Sequence, residues 1–349
     1  MTDLTASIHT YLTTAPASGF AGRAVTVRAH WQGDDNLLWR VDADSDAPDG
    51  DAAVVKLFLD AGQARGRRQF DGQQIFAPRG LAPTPLWFDR YPEGLARQVL
   101  VYRWVEGRAV DVSDAHDLTA LAMTIAAVHN HDAAAVRRIS PRAVSLDYFW
   151  RMLAGGLPPT VRWLEEANCP RLAELVRKLE ASAAAVVAAA LPLWQGASPT
   201  PVHGDLRLQN ALIQGDRALL LDWEMFGLGD PALDAAALLF HEASALAAAG
   251  RASWLESYCA YCRSPDIAER IDIYSRLLPL QHFADLLGRL RQLTAAERRD
   301  PDFRNNTAFL RQTLTLAGEA ATAHLLDAAA MPPDEIDHLL TDVTRNYED

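Results

Sequence analysis

The stretch that most constrains the fold of this chain is residues 202–210, with the sequence VHGDLRLQN. An apolar run follows at residues 218–221 and ends in Asp222, Trp223 and Glu224. The pattern combines an Asp, an Asn five residues later and a second Asp at the end of a short hydrophobic strand. These are the side chains with which a phosphoryl-transfer enzyme accepts a proton and holds Mg²⁺ against ATP.

Each of these positions has a chemical reason. Phosphoryl transfer depends on holding the acceptor hydroxyl in line with the γ-phosphate and on neutralising the charge that develops. Asp205 is the candidate base for that hydroxyl. Mg²⁺ prefers oxygen ligands and keeps part of its water shell, so Asn210 and Asp222 together with phosphate oxygens form a sufficient set. Taken singly, each motif also fits an ordinary turn or helix cap, but their order and spacing favour a kinase.

Residues 203–210 and 222–224 resemble the catalytic and metal-binding loops of the aminoglycoside phosphotransferase and choline kinase superfamily, which is related to the protein kinases. Gly204 stands where protein kinases usually have Arg, and this favours the small-molecule branch. Residues 227–234 (GLGDPALD) are similar to the Gly-Asp-Pro plus Asp element of that branch. The resemblance implies an α+β, two-lobe protein-kinase-like fold, with Mg²⁺ and ATP, or GTP in its place, as cofactors and a small-molecule hydroxyl acceptor.

The resemblance also predicts an amino-terminal lobe in which a loop between two strands covers the phosphates and a Lys on the third strand reaches them. Residues 25–27, 37–41 and 53–58 have the composition of strands, and Lys56 lies in the third. In the loop between the first two strands, Gly33 and Asn36 are the candidate phosphate-binding residues, because glycine permits close backbone approach. An ordinary hairpin turn is the alternative for this loop.

A helix after the third strand should supply an acidic partner for Lys56. Residues 64–78 are the candidate helix, and Asp71 is their only carboxylate, at a place where the family usually has Glu. Because Asp is one methylene shorter than Glu, Gln69 is the fallback partner. The alternative for Asp71 is a surface ion pair with one of the two arginines that precede it.

Residues 98–107 (QVLVYRWVEG) are predicted to form a strand that leads into a hinge. By the resemblance, the adenine edge would bond to the carbonyl of Arg103 and the amide of Val105, although a buried sheet strand explains the same pattern. We therefore predict a nucleotide-binding lobe at residues 1–102, a hinge at 103–107, and a helical lobe at 108–349 that carries the catalytic and metal loops and the acceptor pocket.

Beyond the hinge, apolar residues recur at helical spacing in four segments, and only residues 201–222 have the character of strands. The four predicted helices are 118–129, 171–190, 234–249 and 275–294. His129 ends the first of them and is expected to be a packed core residue, whereas His203 is expected to support the catalytic loop by hydrogen bonding. An antiparallel sheet lobe followed by a mainly helical lobe is the predicted architecture.

Composition excludes several classes of protein. The net charge of −12 and the pI near 5.3 argue against nucleic acid as a partner. The longest uncharged apolar stretch, residues 181–194, is too short to span a bilayer, and the first ten residues lack the pattern of a signal peptide. We expect a cytoplasmic protein with no membrane partner, and the oligomeric state stays unknown. The acidic residues 42–51 are expected to form a solvated hairpin connection.

Three cysteines fit a reducing compartment. Cys259 and Cys262 have the spacing of half a zinc site, but two cysteines on a buried helix face are the better explanation.

The acceptor is the least constrained part of the prediction. Aminoglycosides, amino alcohols, homoserine and sugars are the candidates, and only the acidic balance of the chain favours an amine. A nucleotide-binding pseudokinase and a kinase that acts on protein are the alternatives, the second being disfavoured by the short segment between Asp222 and Asp230.

Overall fold

The computed structural model describes residues 2–33, 36–44, 51–60, 64–300, 306–326 and 331–345. Residues 34–35 of the predicted phosphate loop and residues 45–50 of the predicted acidic hairpin lie outside the described residues. The amino-terminal part contains a five-stranded antiparallel sheet, and the carboxy-terminal part is mostly helical. Both features were predicted from the sequence, and both are confirmed.

The helices of the described residues are α1 (Thr2–Thr14), α2 (Arg65–Phe76), α3 (Ala115–His129), α4 (Leu146–Glu166), α5 (Pro170–Ala190), α6 (Pro231–His241), α7 (Ala248–Tyr261), α8 (Ile267–Gln292), α9 (Ala295–Arg299), α10 (Thr307–Leu325) and α11 (Pro333–Arg345).

The strands are β1 (Val25–Gln32), β2 (Asn36–Ala43), β3 (Asp51–Phe58), β4 (Pro85–Asp89), β5 (Val99–Arg103), β6 (Arg108–Ala109), β7 (Thr200–Val202), β8 (Ala211–Gln214), β9 (Arg217–Leu220) and β10 (Gly227–Gly229).

The chain divides into two compact units. The first comprises Met1–Arg142, Pro199–Asp234 and His241–Ser264, and the second comprises Ala143–Ser198, Ala235–Phe240 and Pro265–Asp349. The predicted hinge at residues 103–107 lies within the first unit. The boundaries of the predicted lobes stay a prediction.

The large sheet of the first unit has the strand order β1-β2-β3-β5-β4. Because side chains alternate between the faces of a strand, Trp39 and Val41 of β2 point to one face and their neighbours point to the other. Trp39 is fully buried against the side of the sheet that packs on Ile8 of α1. On the opposite face, Lys56 lies directly across from Leu38 and from Leu100 in the strand register. The alternation therefore places Lys56 on the face that α1 leaves uncovered.

Short strands frame the catalytic loop in the same unit. β7 pairs with β10, and β8 pairs with β9 and β6. The strand character predicted for residues 201–222 is confirmed. The prediction that only this range forms strands beyond the hinge is wrong, since β6 and β10 lie outside it. The loop between β7 and β8 thus begins and ends on hydrogen-bonded strands.

The second unit is built from helices. α4 packs on α5 and α8, and α10 packs on α8 and α11. α4 was not predicted, because two glycines and the pair Pro158 and Pro159 interrupt its pattern. Ser145 starts it by accepting a hydrogen bond from the backbone amide of Tyr148 at 3.3 Å.

The helix predicted at 234–249 is wrong as one element, since α6 ends at His241 and α7 begins at Ala248. A turn closes after α6, where the amides of Ala245 and Leu246 both donate to the Glu242 carbonyl. The other three predicted helices are confirmed in α3, α5 and α8, except that α8 ends at Gln292, two residues before the predicted end.

Candidate active site

The predicted catalytic loop, residues 203–210, turns sharply at Gly204. Its φ of +84° lies in the left-handed region that favours glycine, and a Cβ there would lie 2.5 Å from the Met225 carbonyl oxygen. His203 is fully buried, and its Nε2–H donates to the Leu221 carbonyl at 2.7 Å. Its Nδ1 atom accepts from the backbone amide of Asp205 at 3.3 Å. These bonds link the backbone of Asp205 to that of Leu221 through the His203 ring, which agrees with the supporting role expected for His203.

The buried carboxylate of Asp234 stabilises the same turn by hydrogen bonds to its backbone. Asp234 accepts hydrogen bonds from the backbone amides of His203 at 2.8 Å and Gly204 at 3.0 Å. His129 Nε2 donates to Asp234 at 3.1 Å, and the Tyr258 hydroxyl donates to His129 Nδ1 at 2.6 Å. His129 is buried as expected, but it also belongs to this network. The second Asp of the Gly-Asp-Pro element was noticed in the sequence without this role.

Lys56 lies at the centre of a second polar cluster. Only 2% of the residue is exposed, and its Nζ atom lies 2.8 Å from Asp222 and 2.5 Å from Glu224. Gln69 of α2 accepts a further hydrogen bond from Nζ at 3.0 Å. Gln69 is 13 residues from Lys56 in sequence, whereas Asp222 is 166 residues away, and the fold of the first unit brings all three together.

Burial and ion pairing together set the pKa values of Lys56, Asp222 and Glu224. Burial disfavours the charge on Lys56, but Asp222 and Glu224 outweigh it and raise the pKa of Lys56 above its ordinary value. Burial likewise opposes ionisation of Asp222, yet the Lys56 ammonium holds the pKa of that carboxyl below its usual range. For Glu224 burial is the stronger influence, and its pKa is raised. At neutral pH Lys56 and Asp222 therefore form an ion pair.

The predicted pairing of Asp71 with Lys56 is wrong. Asp71 instead pairs with Arg67 at 2.8 Å, one helical turn away, and with Arg138 at 3.2 Å. Residues two apart on a helix lie about 200° apart around its axis, so Gln69 and Asp71 cannot both face the sheet. Gln69, the fallback in the sequence prediction, is the α2 residue that contacts Lys56.

Glu224 connects the predicted metal-binding loop, residues 222–224, with Asn36 at the start of β2. It accepts a hydrogen bond from the Asn36 side chain at 2.9 Å, and Arg65 lies 3.4 Å from its second oxygen. The Asn36 side chain also lies close to Gly33, whose added Cβ would be 2.8 Å from Asn36 Oδ1. The sequence prediction gave Glu224 no role. Its place two residues after Asp222 was the only signal available.

Asp222 has an unusual backbone. Its φ of +56° and ψ of +63° lie in the left-handed region, which non-glycine residues seldom adopt and which occurs at functional sites. Trp223 then turns inward and is fully buried, with its ring stacked on Phe76 at 4.8 Å. The side chain of Asp222 stays 34% exposed. The burial of Trp223 thus fixes the backbone of Asp222, while the Asp222 carboxylate stays accessible.

Asp205 and Asn210 lie side by side. The amide nitrogen of Asn210 donates to the main-chain oxygen of Asp205 at 3.0 Å and to its carboxylate at 3.3 Å. No three His, Cys, Asp or Glu side chains group together as a metal cage among the described residues. The donors that suit Mg²⁺ here are an amide oxygen and a carboxylate, and such sites rely on phosphate oxygens and water for the remaining ligands. Asn210 and Asp222 fit that kind of site.

The remaining predicted nucleotide residues occupy strand ends. Gly33 follows β1, and its backbone amide donates a hydrogen bond to the carbonyl of Asn36, the first residue of β2, at 2.9 Å. β5 ends at Arg103, whose side chain pairs with Asp51, and Val105 follows in the connection to β6. Their contacts with a nucleotide stay a prediction.

Cys259 lies within α7, and Cys262 follows the last residue of that helix. Both are partly exposed, so the prediction of two cysteines on a buried helix face is wrong. Within the residues that the structure describes, none of the helices has the length and apolar character needed to cross a bilayer.

Comparison with solved structures places the fold. The chain is similar to a choline/ethanolamine kinase family protein from Mesorhizobium loti, with a TM-score of 0.60 and 18% identity over 98% of this chain and 99% of that one. It is also similar to a thermostable mutant of aminoglycoside phosphotransferase APH(4)-Ia in a ternary complex with AMP-PNP and hygromycin B. That match has a TM-score of 0.56 and 14% identity over 91% of this chain and 97% of the other. The predicted protein-kinase-like fold is confirmed.

Sequence comparison gives a local match and a family. The protein LicA from Haemophilus influenzae is 41% identical over 59 residues, which cover 17% of this chain and 21% of LicA. The match thus spans about a fifth of that relative's length. The model of the phosphotransferase enzyme family, APH, matches residues 26–270, which is more than half of the chain. The chain therefore belongs to the phosphotransferase enzyme family, as the motifs around Asp205 and Asp222 indicated.

Proposed function

We propose that this protein transfers the γ-phosphoryl group of ATP to a hydroxyl group of a small molecule. The observation that carries the proposal is the meeting of Lys56 with Asp222 at 2.8 Å, in the same unit as the paired Asp205 and Asn210. A kinase needs a phosphate-binding lysine, metal ligands and a base close together. Membership of the phosphotransferase enzyme family supports the same conclusion.

Asp205 is the proposed base. Its side chain is 28% exposed, and the bonds to His203 and Asn210 fix its position while leaving it accessible to a substrate. It would orient the acceptor hydroxyl towards the γ-phosphorus and take its proton as the new bond forms. Little other covalent chemistry is asked of the protein.

Lys56 is the proposed phosphate ligand, together with the backbone of Gly33 and Asn36. The Arg103 carbonyl and the Val105 amide are the proposed hydrogen-bonding partners of the adenine edge. The nucleotide analogue in the similar APH(4)-Ia complex supports the use of a nucleotide by this fold. Because Asp222 and Glu224 already satisfy Lys56, nucleotide phosphates would compete with them for the ammonium group. GTP is an alternative donor.

Asn210 and Asp222 are the proposed Mg²⁺ ligands. The metal would supply positive charge that neutralises the phosphate oxygens during transfer. The Lys56 ammonium next to Asp222 keeps that carboxylate ionised, which is the form that binds a cation.

The acceptor class is proposed from the relatives. The names of the similar proteins refer to choline or ethanolamine and to aminoglycosides, and homoserine and sugars are the further candidates. An amine-bearing acceptor is favoured only by the net charge of −12. Titration calorimetry that detects binding of a neutral sugar, and of no aminoglycoside or amino alcohol, would exclude the amine.

The alternative is a pseudokinase that binds nucleotide without turnover. A single glycine in the phosphate loop and Gln69 in place of an acidic helix residue favour it. The complete set of Asp205, Asn210 and Asp222 argues against it.

An ADP-release assay with Mg²⁺-ATP tests the proposal against a panel of aminoglycosides, amino alcohols, homoserine, and neutral and amino sugars. We expect one acceptor class to release ADP, and Asp205→Ala to abolish the release while nucleotide binding persists. Nucleotide binding without release on every acceptor would favour the pseudokinase. Full activity in Asp205→Ala would refute the assignment of the base.

A further inference from the structure

A short segment between α3 and α4, residues 138–142, is tied to the strand that follows the metal loop. The Leu228 amide donates to the Arg138 carbonyl at 2.7 Å, and the Ser140 amide donates to the Leu228 carbonyl at 2.8 Å. The Ser140 hydroxyl donates to the Met225 carbonyl at 2.8 Å. Gly227 is required for this approach, because an added Cβ would lie 2.3 Å from the Ser140 nitrogen. We call residues 138–142 the strap.

The strap ends in an arginine beside the proposed base. Arg142 Nε donates to the Gly204 carbonyl at 2.9 Å, and its terminal nitrogen lies 3.9 Å from Asp205 Oδ1. Arg207 Nε lies 3.4 Å from the same oxygen atom. The second carboxylate oxygen of Asp205 is the one that contacts Asn210. Two guanidinium groups from different loops therefore flank one edge of Asp205.

These two cations have more hydrogen-bonding capacity than Asp205 uses. A guanidinium carries five N–H donors in a planar fork that matches an oxyanion. The side chains of Arg142 and Arg207 are 44% and 37% exposed, so their outer edges face solvent. In a chain with a net charge of −12, this places positive charge where a hydroxyl bound to Asp205 would meet a phosphoryl group.

We propose that Arg142 and Arg207 form an oxyanion site beside Asp205, and that the γ-phosphoryl group of the donor nucleotide occupies it during transfer. The inference rests on the proposed function. In the step, the acceptor oxygen bonds to the γ-phosphorus, the bond from that phosphorus to the β–γ bridging oxygen breaks, and its electron pair leaves with ADP. Asp205 takes the hydroxyl proton. The two guanidinium groups stabilise the negative charge on the oxygens of the phosphoryl group in flight.

The test uses Arg142→Gln, Arg142→Lys and Arg207→Gln in the full chain. Arg217→Gln is the matched control, since Arg217 is 73% exposed on the β8–β9 hairpin beside Asp216. We expect kcat to fall roughly 100-fold in each glutamine variant, as for the loss of one preorganised transition-state donor, with KM for Mg²⁺-ATP nearly unchanged. Arg142→Lys should recover part of kcat. Slow hydrolysis of Mg²⁺-ATP, with water as the acceptor, provides the rate if the acceptor is unidentified.

A binding measurement separates this role from support of the loop. Orthovanadate should strengthen Mg²⁺-ADP binding to the wild-type protein and to Arg217→Gln, because vanadate mimics the phosphoryl group in transfer. The glutamine variants at 142 and 207 should lose that gain and keep the affinity for Mg²⁺-ADP alone. Folded glutamine variants that keep the wild-type kcat and the full vanadate effect would overturn the inference. A wild-type protein that binds no nucleotide would instead refute the proposed function.

Discussion

The buried lysine offers a prediction that is independent of any substrate. Lys56→Met removes the ammonium group and keeps most of the aliphatic stem, so that packing changes little. It leaves Asp222 and Glu224 without the cation that both contact in the wild-type protein. Lys178, the chain's other lysine, is 60% exposed and pairs with Glu174 at 3.8 Å, so Lys178→Met is the control.

The size of the effect follows from burial. Breaking a buried ion pair by removal of one partner costs ~3–5 kcal/mol. Because the Asp222 side chain is 34% exposed, solvent screening reduces the contribution of the Lys56–Asp222 ion pair to this cost. Glu224 keeps its contacts with Asn36 and Arg65, which reduces the cost further. We therefore expect the free energy of unfolding to fall by about 3 kcal/mol at neutral pH, near the lower end of that range. Lys178→Met should change it by less than ~0.5 kcal/mol.

The loss should depend on pH. In Lys56→Met, burial raises the pKa of both carboxyls in the folded state, because the ammonium group is gone and Arg65, 3.4 Å from Glu224, opposes the rise only in part. A folded-state pKa above the unfolded value means that the folded protein takes up protons first on acidification, so the variant regains stability as pH falls through that pKa. Urea unfolding followed by tryptophan fluorescence at about pH 7.5 and about pH 5 measures the change. A Lys56→Met protein as stable as the wild type at the higher pH, or equally destabilised at both, would refute the reasoning.

Three further variants test other parts of the site. Gly204→Ala should lose activity and about 1–3 kcal/mol of stability, because it strains a left-handed residue and puts a Cβ 2.5 Å from the Met225 carbonyl oxygen. Urea unfolding that is the same as for the wild type would contradict this. Asp234→Asn should lower kcat at least roughly tenfold with little change in nucleotide affinity, since a side-chain amide has one oxygen and cannot accept the hydrogen bonds of both backbone amides in the turn. Steady-state kinetics measures both quantities, and an unchanged kcat would contradict this. Asp222→Asn should weaken Mg²⁺-ADP binding roughly tenfold in calorimetry and leave metal-free binding nearly unchanged; equal affinities with Mg²⁺ would place the metal ligand elsewhere.

The site was predictable where its chemistry is contiguous in sequence. Asp205 and Asn210 share one loop, and Asp222 lies two residues after the strand pair that follows, so their spacing alone indicated phosphoryl transfer. Lys56 was predicted because a single lysine interrupts a β-rich run, and the structure places it beside Asp222. In each case a short range of residues carries both the chemistry and the local geometry.

Contacts that depend on helix rotation or on distant segments were not predictable in this way. The choice between Gln69 and Asp71 depends on how α2 is rotated against the sheet, which helical spacing alone leaves undetermined. Glu224 meets Asn36 across 188 residues of chain. Arg142 reaches Asp205 only because Gly227 lets the strap approach β10. None of these contacts leaves a local pattern in the sequence.

The measurement that tests the central claim most directly is a ³¹P NMR time course of Mg²⁺-ATP with the protein and each candidate acceptor. The account predicts that, for one acceptor class, a phosphomonoester signal grows in step with ADP, and that Asp205→Ala gives neither signal. ADP accompanied only by inorganic phosphate on every acceptor, or a phosphomonoester that forms as fast with Asp205→Ala, would contradict it.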